Sequence, residues 1–466
     1  MDKGLKLNVK DTHKFEIDGT KILLDVNSGS IHVIDDMMWF FHNALQKRNG
    51  AFENALSDLK DKYGEEQEAD LKAEIEALMG AEQLFATDTY KGKYLTPQKP
   101  VLKSLCLNVS HDCNLRCAYC FASSGHFGGT RLLMSAETGK KAIDYLLEHS
   151  GSRKHCEMDF FGGEPLMNTH VVKELVAYGR EQGAKLGKEI KFTLTTNGVC
   201  LDDETQEFLN RENISVVLSL DGRPEVNDRV RNFPSGKGTY EIINTRFKKF
   251  VESRKNENYY LRGTFTGWNK DFFQDAVHLV EQGYDIISLE PVVASEEEDY
   301  VLTEKDLPLL RDEYLKLARF FRERKKAGKP FTFFHFNLDL HHGPCLPKRL
   351  SGCGAGHEYM VVTPEGDFYP CHQFVGRDEY KMGSLSSNQV DQEMGKKFQE
   401  AHIYKKPSCM DCWARFYCSG GCHANADAFN HDILSPYKLG CELQKIRLEC
   451  AIWLQVVDDL SRTNRP

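Results

Sequence analysis

Three cysteines are concentrated in the segment 110–121, where Cys113, Cys117 and Cys120 follow the spacing C-x3-C-x2-C. Thiols this close in the chain are suited to one shared metal centre, because thiolate ligands select zinc, copper(I) or iron–sulfur clusters. A cubane iron–sulfur cluster held by three cysteines keeps one iron open for a ligand from outside the protein. A structural zinc ion would need a fourth ligand, and His111 could supply it. Both kinds of metal centre therefore remain open at this point.

A second group of cysteines lies in residues 345–441. Its spacing from position 409 to position 422, C-x2-C-x5-C-x3-C, is suited to zinc as well as to iron–sulfur clusters. The group consists of Cys345, Cys353, Cys371, Cys409, Cys412, Cys418, Cys422 and Cys441. Among the remaining cysteines, Cys106 and Cys156 fall in predicted strands, so we expect them to be small buried side chains.

The composition excludes several classes of function. The chain has 466 residues and a formal net charge of −9, which argues against a nucleic-acid partner. It has no apolar run near the ~18 residues needed to span a membrane, and its first residues lack the apolar core of a signal peptide. We therefore expect a cytoplasmic protein without a membrane partner. In that reducing compartment, 15 cysteines indicate metal binding or catalysis rather than disulfides.

Residues 1–86 contain no cysteine and form the first predicted domain. Turn signals at Asp18-Gly19 and at 27–29 separate short alternating segments. Strands are predicted at 13–17, 21–26 and 30–34, and helices at 37–49, 51–63 and 65–79. This unit is either a scaffold or a peptide-docking module whose exposed strand edge pairs with an extended chain. Residues 87–100 are predicted to be a linker.

Strand and helix signals then alternate from residue 104 to the 320s. Strands are predicted at 104–109, 156–161, 190–196, 214–220, 259–266 and 284–292, and helices at 135–149, 169–186, 203–211, 240–253, 271–282 and 303–326. This pattern predicts an α/β fold, a partial (β/α)6 barrel over residues 101–330. Chemistry in such sheets gathers at the C-terminal ends of the strands. The three-cysteine segment follows the first strand and so falls at that end.

The rest of the chain has a different character. Residues 331–441 form a predicted cysteine-rich domain, with a hairpin at 359–371 and no helical periodicity. Residues 442–466 are predicted as a C-terminal helix.

Short polar segments follow the second, third and fourth predicted strands. They are Gly162-Gly163-Glu164-Pro165, Thr195-Thr196-Asn197-Gly198 and Ser219-Leu220-Asp221-Gly222. Any one alone is most simply a turn. Their repetition at successive strand ends favours a ligand site, because glycines admit close backbone approach and carboxylates suit ammonium and hydroxyl groups. Glu290, at the end of the sixth strand, is a further candidate catalytic residue facing that site.

The cysteine spacing, with the aromatic Tyr119 before the last cysteine, resembles the signature of the radical S-adenosylmethionine (SAM) superfamily. The resemblance implies a [4Fe-4S] cluster on Cys113, Cys117 and Cys120, and a 5'-deoxyadenosyl radical that takes hydrogen from a substrate. It implies SAM contacts from Tyr119, from Gly162, Gly163, Glu164 and Pro165 for the methionine amino group, from Asn197, and from Ser219 and Asp221 for the ribose. Arg231 is a candidate for the methionine carboxylate, with Arg229 as plausible.

The later cysteines resemble the SPASM extension of this superfamily, which implies two auxiliary [4Fe-4S] clusters and three clusters in all. By this resemblance a distal cluster is held by Cys409, Cys412, Cys418 and Cys441, and a proximal one by Cys353, Cys371 and Cys422, with Cys345 as its possible fourth ligand. Otherwise the proximal cluster keeps an open iron for a substrate thiolate. His372 stands where sulfatase-maturing relatives have an aspartate base, which puts that activity in doubt.

The three-part plan and the phrases at 24–29, 348–354 and 369–374 resemble thioether-forming maturases of Cys-rich peptides, the SCIFF and freyrasin-type (ranthipeptide) enzymes. This resemblance implies that a Cys sulfur is joined to a carbon within a ribosomally synthesised precursor peptide. The peptide's leader would bind the winged-helix-like residues 1–86, and flavodoxin or ferredoxin would donate electrons. The competing functions are another SPASM chemistry, such as formylglycine formation or carbon–carbon crosslinking, and a non-catalytic, zinc-stabilised peptide-binding protein.

Overall fold

The computed structural model describes residues 5–92, 101–338, 340 and 350–463. The N-terminal part is an antiparallel sheet followed by helices. Its elements are β1 (Thr12–Ile17), β2 (Thr20–Asp25), β3 (Ile31–Val33), α1 (Asp36–Lys47), α2 (Phe52–Tyr63) and α3 (Glu65–Gly80), with the strands in the order β1-β2-β3. The strands and helices predicted for this region are confirmed.

Strand β2 is buried on both faces, and this decides how the N-terminal part packs. Leu23 faces a core that it shares with Phe41, Phe52 and other side chains of the helices. Its neighbours Ile22 and Leu24 point the opposite way, into the large core of the central sheet. Because successive residues of a strand point to opposite faces, one strand serves both cores.

A mostly parallel sheet forms the centre of the molecule. The strands of this region are β4 (Ser104–Ser110), β5 (Arg116–Cys117), β6 (His155–Gly162), β7 (Glu189–Thr196), β8 (Ser215–Ser219), β9 (Arg231–Asn232), β10 (Tyr259–Phe265), β11 (Ile286–Pro291) and β12 (Thr332–Phe333). The central sheet runs in the order β12-β11-β10-β8-β7-β6-β4, with all these neighbours parallel. The predicted α/β fold is confirmed, whereas the two-residue strands were not predicted because they carry no periodicity.

Helices follow the parallel strands and cover one face of the sheet. They are α4 (Ala136–His149), α5 (Thr169–Lys185), α6 (Asp203–Arg211), α7 (Pro224–Val230), α8 (Tyr240–Ser253), α9 (Phe272–Glu281) and α10 (Leu307–Lys326). Ser135 and Asp202 cap α4 and α6 through their side-chain oxygens. In β10, Leu261 and Phe265 are fully buried in the core beneath these helices. Arg262, between them in sequence, therefore lies on the opposite face of the sheet.

The C-terminal part extends the same sheet. Its elements are β13 (Tyr359–Val362), β14 (Asp367–Tyr369), β15 (Gly383–Ser384), β16 (Gln389–Val390), α11 (Gln392–Glu400), α12 (Pro407–Met410), α13 (Arg415–Cys418), α14 (His423–Asn430) and α15 (Lys438–Thr463). The predicted hairpin is confirmed as β13 and β14, and β13 pairs in parallel with β4. The expectation of no helix before the last segment was wrong, because α11 and α14 are too short to show a clear periodicity. No helix within the described ranges has the length and apolar character needed to cross a membrane.

Side chains of the C-terminal part fasten the N-terminal sheet. Arg415, 3% exposed, donates from Nη2 to Asp11 Oδ1 at 3.1 Å and to Asn27 Oδ1 at 2.5 Å. The ring of His13 stacks on Trp413 with a centroid distance of 3.9 Å. Since a buried charge without its partner is costly, Arg415 should contribute most to this attachment.

We expect Arg415→Met to lower the free energy of unfolding by about 3 kcal/mol, because it leaves the Asp11 carboxylate without its buried partner. Lys10→Met is the control, since Lys10 and its partner Asp411 are both exposed and such pairs contribute about 1 kcal/mol or less. Urea unfolding of the two variants measures the difference. Equal losses in both variants would contradict the assignment.

Candidate active site

The three-cysteine loop is held in place by backbone contacts at the C-terminal end of β4. Within the loop, β5 pairs with β9, so that Cys117 lies opposite Arg231. The hydroxyl of Tyr300 donates to the carbonyl of Ala118 at 3.3 Å. The buried side chain of Leu115 anchors the loop in the core. These contacts fix the three thiols before any ligand binds.

Nitrogen donors surround the sulfur atoms of this loop. The backbone N–H of Leu115 donates to Cys113 Sγ at 3.4 Å, and that of Ser124 donates to Cys120 Sγ at 3.3 Å. Asn197 Nδ2 lies 3.6 Å from Cys113 Sγ. Donors placed in this way stabilise negative charge on sulfur.

The electrostatics of the loop suit a metal cluster. Burial raises the pKa of the Cys113 thiol to about 12 and that of Cys117 to about 11, and the neighbouring thiols add to both shifts. A bound metal would be needed to keep such thiols deprotonated at neutral pH. Across the described residues, no three His, Cys, Asp or Glu side chains are arranged to hold a single metal ion. His111, the candidate fourth zinc ligand, instead contacts Asn108 and stacks near Phe127.

Glu164 ties the ends of β6 and β7 together. Its carboxylate is fully buried, and Oε1 accepts hydrogen bonds from Leu166 N at 3.0 Å and Thr196 Oγ1 at 2.8 Å. Oε2 accepts from Asn197 N at 2.7 Å. Burial raises the pKa of Glu164 to about 7, against the effect of these donors. A cation bound nearby would therefore favour the ionised form, while a contact of Glu164 with SAM stays a prediction.

Gly162 and Gly163 allow β6 to meet the cysteine loop at backbone distance. A Cβ atom on Gly162, whose φ is +127°, would lie 2.2 Å from the carbonyl oxygen of Ser110. A Cβ on Gly163 would lie 2.3 Å from the carbonyl oxygen of Asp112. Only glycine fits both positions, and Pro165 then starts the turn that leads into α5.

A buried trio joins the fourth strand end to the cysteine loop. Tyr119 donates from its hydroxyl to Asp221 Oδ2 at 2.6 Å and accepts from Arg231 Nη1 at 3.0 Å. Arg229 points elsewhere, with its guanidinium 4.2 Å from the ring centroid of Trp268. Of the two arginines left open by the sequence, Arg231 is thus the one beside the three-cysteine loop, and its role toward SAM stays a prediction.

Two further strand-end residues complete the predicted SAM set. Asn197 donates from Nδ2 to Asn114 Oδ1 at 2.8 Å, and Asn114 in turn donates to Cys200 Sγ at 3.3 Å. Ser219 is the last residue of β8 and lies opposite Arg262 of β10. The roles of Asn114 and Cys200 in this network were not predicted, because an Asn inside the cysteine motif carries no separate sequence signal.

Glu290 lies at the end of β11 in a network of ion pairs. Its Oε1 lies 2.6 Å from His335 Nε2, and its Oε2 lies 3.5 Å from Arg447 Nη2. Ser288 also donates to the carboxylate, at 2.9 Å. Burial alone would raise the pKa of Glu290, but Arg447 and His335 lower it well below its usual value. An ionised, paired carboxylate is suited to hold neighbouring groups in place, and the catalytic role of Glu290 stays a prediction.

The C-terminal cysteines fall into two electrostatically coupled sets. Cys371 is coupled to Cys353 and Cys422, and burial raises its pKa to about 12. The other set joins Cys441 to its three partners, Cys409, Cys412 and Cys418. The ligation of a proximal and a distal cluster by these two sets stays a prediction, and Cys345 lies outside the described residues. Cys106 and Cys156 are buried as predicted.

An aromatic layer, made by Phe121, Phe161 and His372, connects the three-cysteine loop with the segment of Cys371. Phe121, which follows Cys120, has its ring centroid 5.6 Å from that of His372, which follows Cys371. Phe161 of β6 lies 4.8 Å from His372 and 6.5 Å from Phe121, measured between ring centroids. The residues that directly follow Cys120 and Cys371 are therefore in contact with each other.

Comparison with known proteins agrees with this geometry. The sequence profile of the radical SAM superfamily matches residues 107–280, and that of SPASM, an iron-sulfur cluster-binding domain, matches residues 353–413. This chain therefore contains a radical SAM domain and a SPASM domain. The match to this radical SAM protein runs from β4 to α9 and includes the loop of Cys113, Cys117 and Cys120, while the SPASM match includes Cys353 and Cys371.

Individual relatives of this radical SAM protein are distant. The cysteine-type anaerobic sulfatase-maturating enzyme of Clostridium novyi (strain NT) is 24% identical over 351 residues, 70% of this chain and 90% of that one. The structure of native anSMEcpe with bound AdoMet has a TM-score of 0.64 at 21% identity and covers 77% of this chain and 99% of that one. Streptococcus suis SuiB bound to precursor peptide SuiA has a TM-score of 0.51 at 17% identity and covers 94% and 99%. At these identities the structures share the fold alone.

Gly162→Ala should lower the free energy of unfolding of this radical SAM protein by about 2–4 kcal/mol, because a methyl group collides with the backbone of β4. Gly187→Ala is the matched control, with a φ of +64° and nothing within 4 Å of its Cβ position. The control should lose only about 1 kcal/mol from its backbone conformation. Chemical denaturation checks both values, and a Gly162→Ala variant as stable as the control would contradict the close approach.

Proposed function

We propose that this radical SAM enzyme forms thioether crosslinks, each from a Cys sulfur to a carbon, in a ribosomally synthesised Cys-rich precursor peptide. The observation that carries the proposal is the aromatic contact between Phe121, which follows Cys120, and His372, which follows Cys371. A peptide side chain resting on Phe121, Phe161 and His372 would lie near both groups of thiols. A carbon and a sulfur of the same peptide can then be activated side by side.

The proximal set supports binding of a substrate thiolate. It contributes three thiols within the described ranges, from Cys353, Cys371 and Cys422, whereas the distal set contributes four. A [4Fe-4S] cluster is usually held by four thiolates, so a substrate Cys would complete the proximal set. Cys345 is the alternative fourth ligand, and either arrangement keeps three clusters in the enzyme.

Formation of one thioether crosslink removes two hydrogens from the peptide. One leaves as a hydrogen atom from carbon and one as a proton from the thiol, while one electron leaves as the sulfur–carbon bond closes. When bound, SAM and the clusters supply hydrogen abstraction and accept that electron. The chain's own residues orient the peptide and exclude water. Arg231, Asp221 and Tyr119 would form a polar wall of the site. Phe121 and Phe161 would form an apolar wall.

His372 argues against formylglycine formation in this enzyme. It replaces the aspartate base expected of sulfatase-maturing relatives, and burial lowers its pKa to about 4. Its ring packs between Phe121 and Phe161, and its Nδ1 lies 3.4 Å from the hydroxyl of Tyr359. A neutral ring in an apolar layer suits a bound sulfur better than it suits a charged base.

The leader of the precursor would bind the edge of β3 in the N-terminal domain, residues 1–86. The N–H of Ile34 donates to the carbonyl of Lys21, so by alternation the backbone groups of Ile31 and Val33 point away from β2. Strand addition at such an edge gives affinity through backbone hydrogen bonds. A cavity of about 490 Å³ runs beside this edge, lined by Ser28, Gly29, Ser30, Ile31, Val33, Leu340, Gln455, Val456, Asp459 and Leu460.

Val33→Pro should weaken leader binding roughly tenfold, because it removes one outward N–H and restricts the edge without breaking a hydrogen bond to β2. Val33→Thr keeps the N–H and is the control. Fluorescence anisotropy with a labelled leader peptide measures both affinities. Unchanged binding by Val33→Pro would place the leader elsewhere.

The function itself is tested by anaerobic reconstitution with iron and sulfide, followed by SAM, a reductant such as reduced flavodoxin, and a Cys-rich precursor peptide. We expect the mass of the peptide to fall by two hydrogens for each crosslink. Each crosslink should also reduce by one the number of thiols that iodoacetamide alkylates. Cys113→Ala should abolish the reaction, whereas Cys156→Ala, a buried thiol in β6, should retain it.

Other outcomes identify the competing functions. Loss of two hydrogens with every thiol still alkylatable indicates carbon–carbon crosslinking, and replacement of a Cys by an aldehyde indicates formylglycine formation. If the protein carries zinc and leaves SAM intact, it is the non-catalytic, zinc-stabilised peptide-binding protein.

A further inference from the structure

Lys406 is a fully buried lysine outside every motif that the sequence suggests. Its Nζ donates to the carbonyl of Gly420 at 2.7 Å. A Cβ atom on Gly420 would lie 3.1 Å from Lys406 Cδ and 3.2 Å from Nζ, so the lysine side chain is packed directly against this glycine. Over the described ranges no carboxylate lies within 4 Å of the ammonium group, in contrast to buried Arg415 and Arg447.

The side chain lies between the two C-terminal cysteine sets. Gly420 stands in the short segment between Cys418 of the distal set and Cys422 of the proximal set. Burial lowers the pKa of Lys406, and four nearby thiols oppose this effect when they are ionised. Two belong to each set, namely Cys409, Cys418, Cys353 and Cys422. The same segment also lies near Cys353, since a Cβ atom on the preceding Gly352 would lie 3.4 Å from the carbonyl oxygen of Ser419.

One hydrogen bond does not account for a buried ammonium group. Burying an ion costs several kcal/mol, while a hydrogen bond involving a charged group returns about 1.5–3 kcal/mol. The remaining stabilisation has to come from negative charge nearby. Within the described surroundings that charge comes from the carboxylate of Asp432, whose pKa Lys406 helps to lower, and from the four thiols when they are thiolates, as they are when they hold iron–sulfur clusters.

We propose that Lys406 is a fixed cation shared by the two auxiliary clusters and that it raises the reduction potential of both. The inference rests on the proposed assignment of two clusters to these sets. A positive charge nearby favours the reduced, more negative state of a cluster, because net charge and hydrogen bonds to sulfur set its potential. Lys406 would thereby help the auxiliary clusters to accept the one electron that leaves as the sulfur–carbon bond closes.

Redox titration followed by electron paramagnetic resonance tests this in the reconstituted full-length enzyme. Replacing Cys113, Cys117 and Cys120 by Ala in every sample leaves the auxiliary signals alone in the spectrum. At a fixed potential, Lys406→Met should lower the ratio of reduced to oxidised cluster at least tenfold in both sets, a shift of 59 mV for one electron. Lys406→Arg, which keeps the charge, should stay within threefold of the parent. Lys405→Met is the matched control. Lys405 is the exposed neighbour of Lys406, so removing its charge should leave the ratio of reduced to oxidised cluster unchanged.

Iron content per chain, measured first, separates the outcomes. Lys406→Gln can still donate to Gly420 but has no charge, so parental potentials in this variant would overturn the proposal. Loss of iron from both uncharged variants but not from Lys406→Arg would show that the clusters need the charge. Loss from all three would overturn the proposal, because the side chain would then act through packing. If the parent protein binds no iron at all, the proposed function fails instead.

Discussion

The structure of the site depends on one buried carboxylate. Glu164 accepts hydrogen bonds from Leu166, Thr196 and Asn197, and it thereby fixes the end of β6 to the end of β7. Asn197, held in this way, reaches Cys113 and Asn114 in the cysteine loop. The loop is thus positioned by the neighbouring strand ends rather than by its own sequence. An unsatisfied carboxylate at this depth would be costly, so the strand ends cannot separate easily.

The second constraint is the parallel pairing of β13 with β4. The two strands run in the same direction, and the hairpin that follows β13 reverses the chain, so that β14 runs back along β13 and Cys371 follows Tyr369, the partner of Val361. Phe121 and His372 are in contact. The pairing of β13 with β4 therefore holds the C-terminal domain next to the active site. Extending the sheet by β13 and β14 allows His372 to contact Phe121, and helix α15 packs against α10.

Sequence periodicity predicted the elements of the barrel well, because each strand and helix buries an apolar face that repeats along the chain. The grouping of the C-terminal cysteines came instead from a resemblance in their spacing, and their role as cluster ligands stays a prediction. Periodicity could not predict the pairing of β13 with β4, because strand order depends on contacts between residues more than 200 positions apart. Nor could it predict Lys406 or the partners of Glu290. The stretch Lys405-Lys406-Pro407 looks exposed in sequence, and only the fold shows that one lysine faces inward.

Charge balance connects these observations. Burial raises the pKa of one thiol in each of the three sets, Cys113, Cys371 and Cys441, so these sulfurs favour the protonated, neutral form until a metal binds. Binding iron then places negative charge in a region of low dielectric constant, where compensation is worth most. Two buried cations can compensate this negative charge. Arg231 lies opposite Cys117, and Lys406 lies near thiols of both C-terminal sets. Removing a thiol and removing a cation should therefore have different consequences, since the first deletes a ligand while the second changes the charge state that the remaining ligands favour.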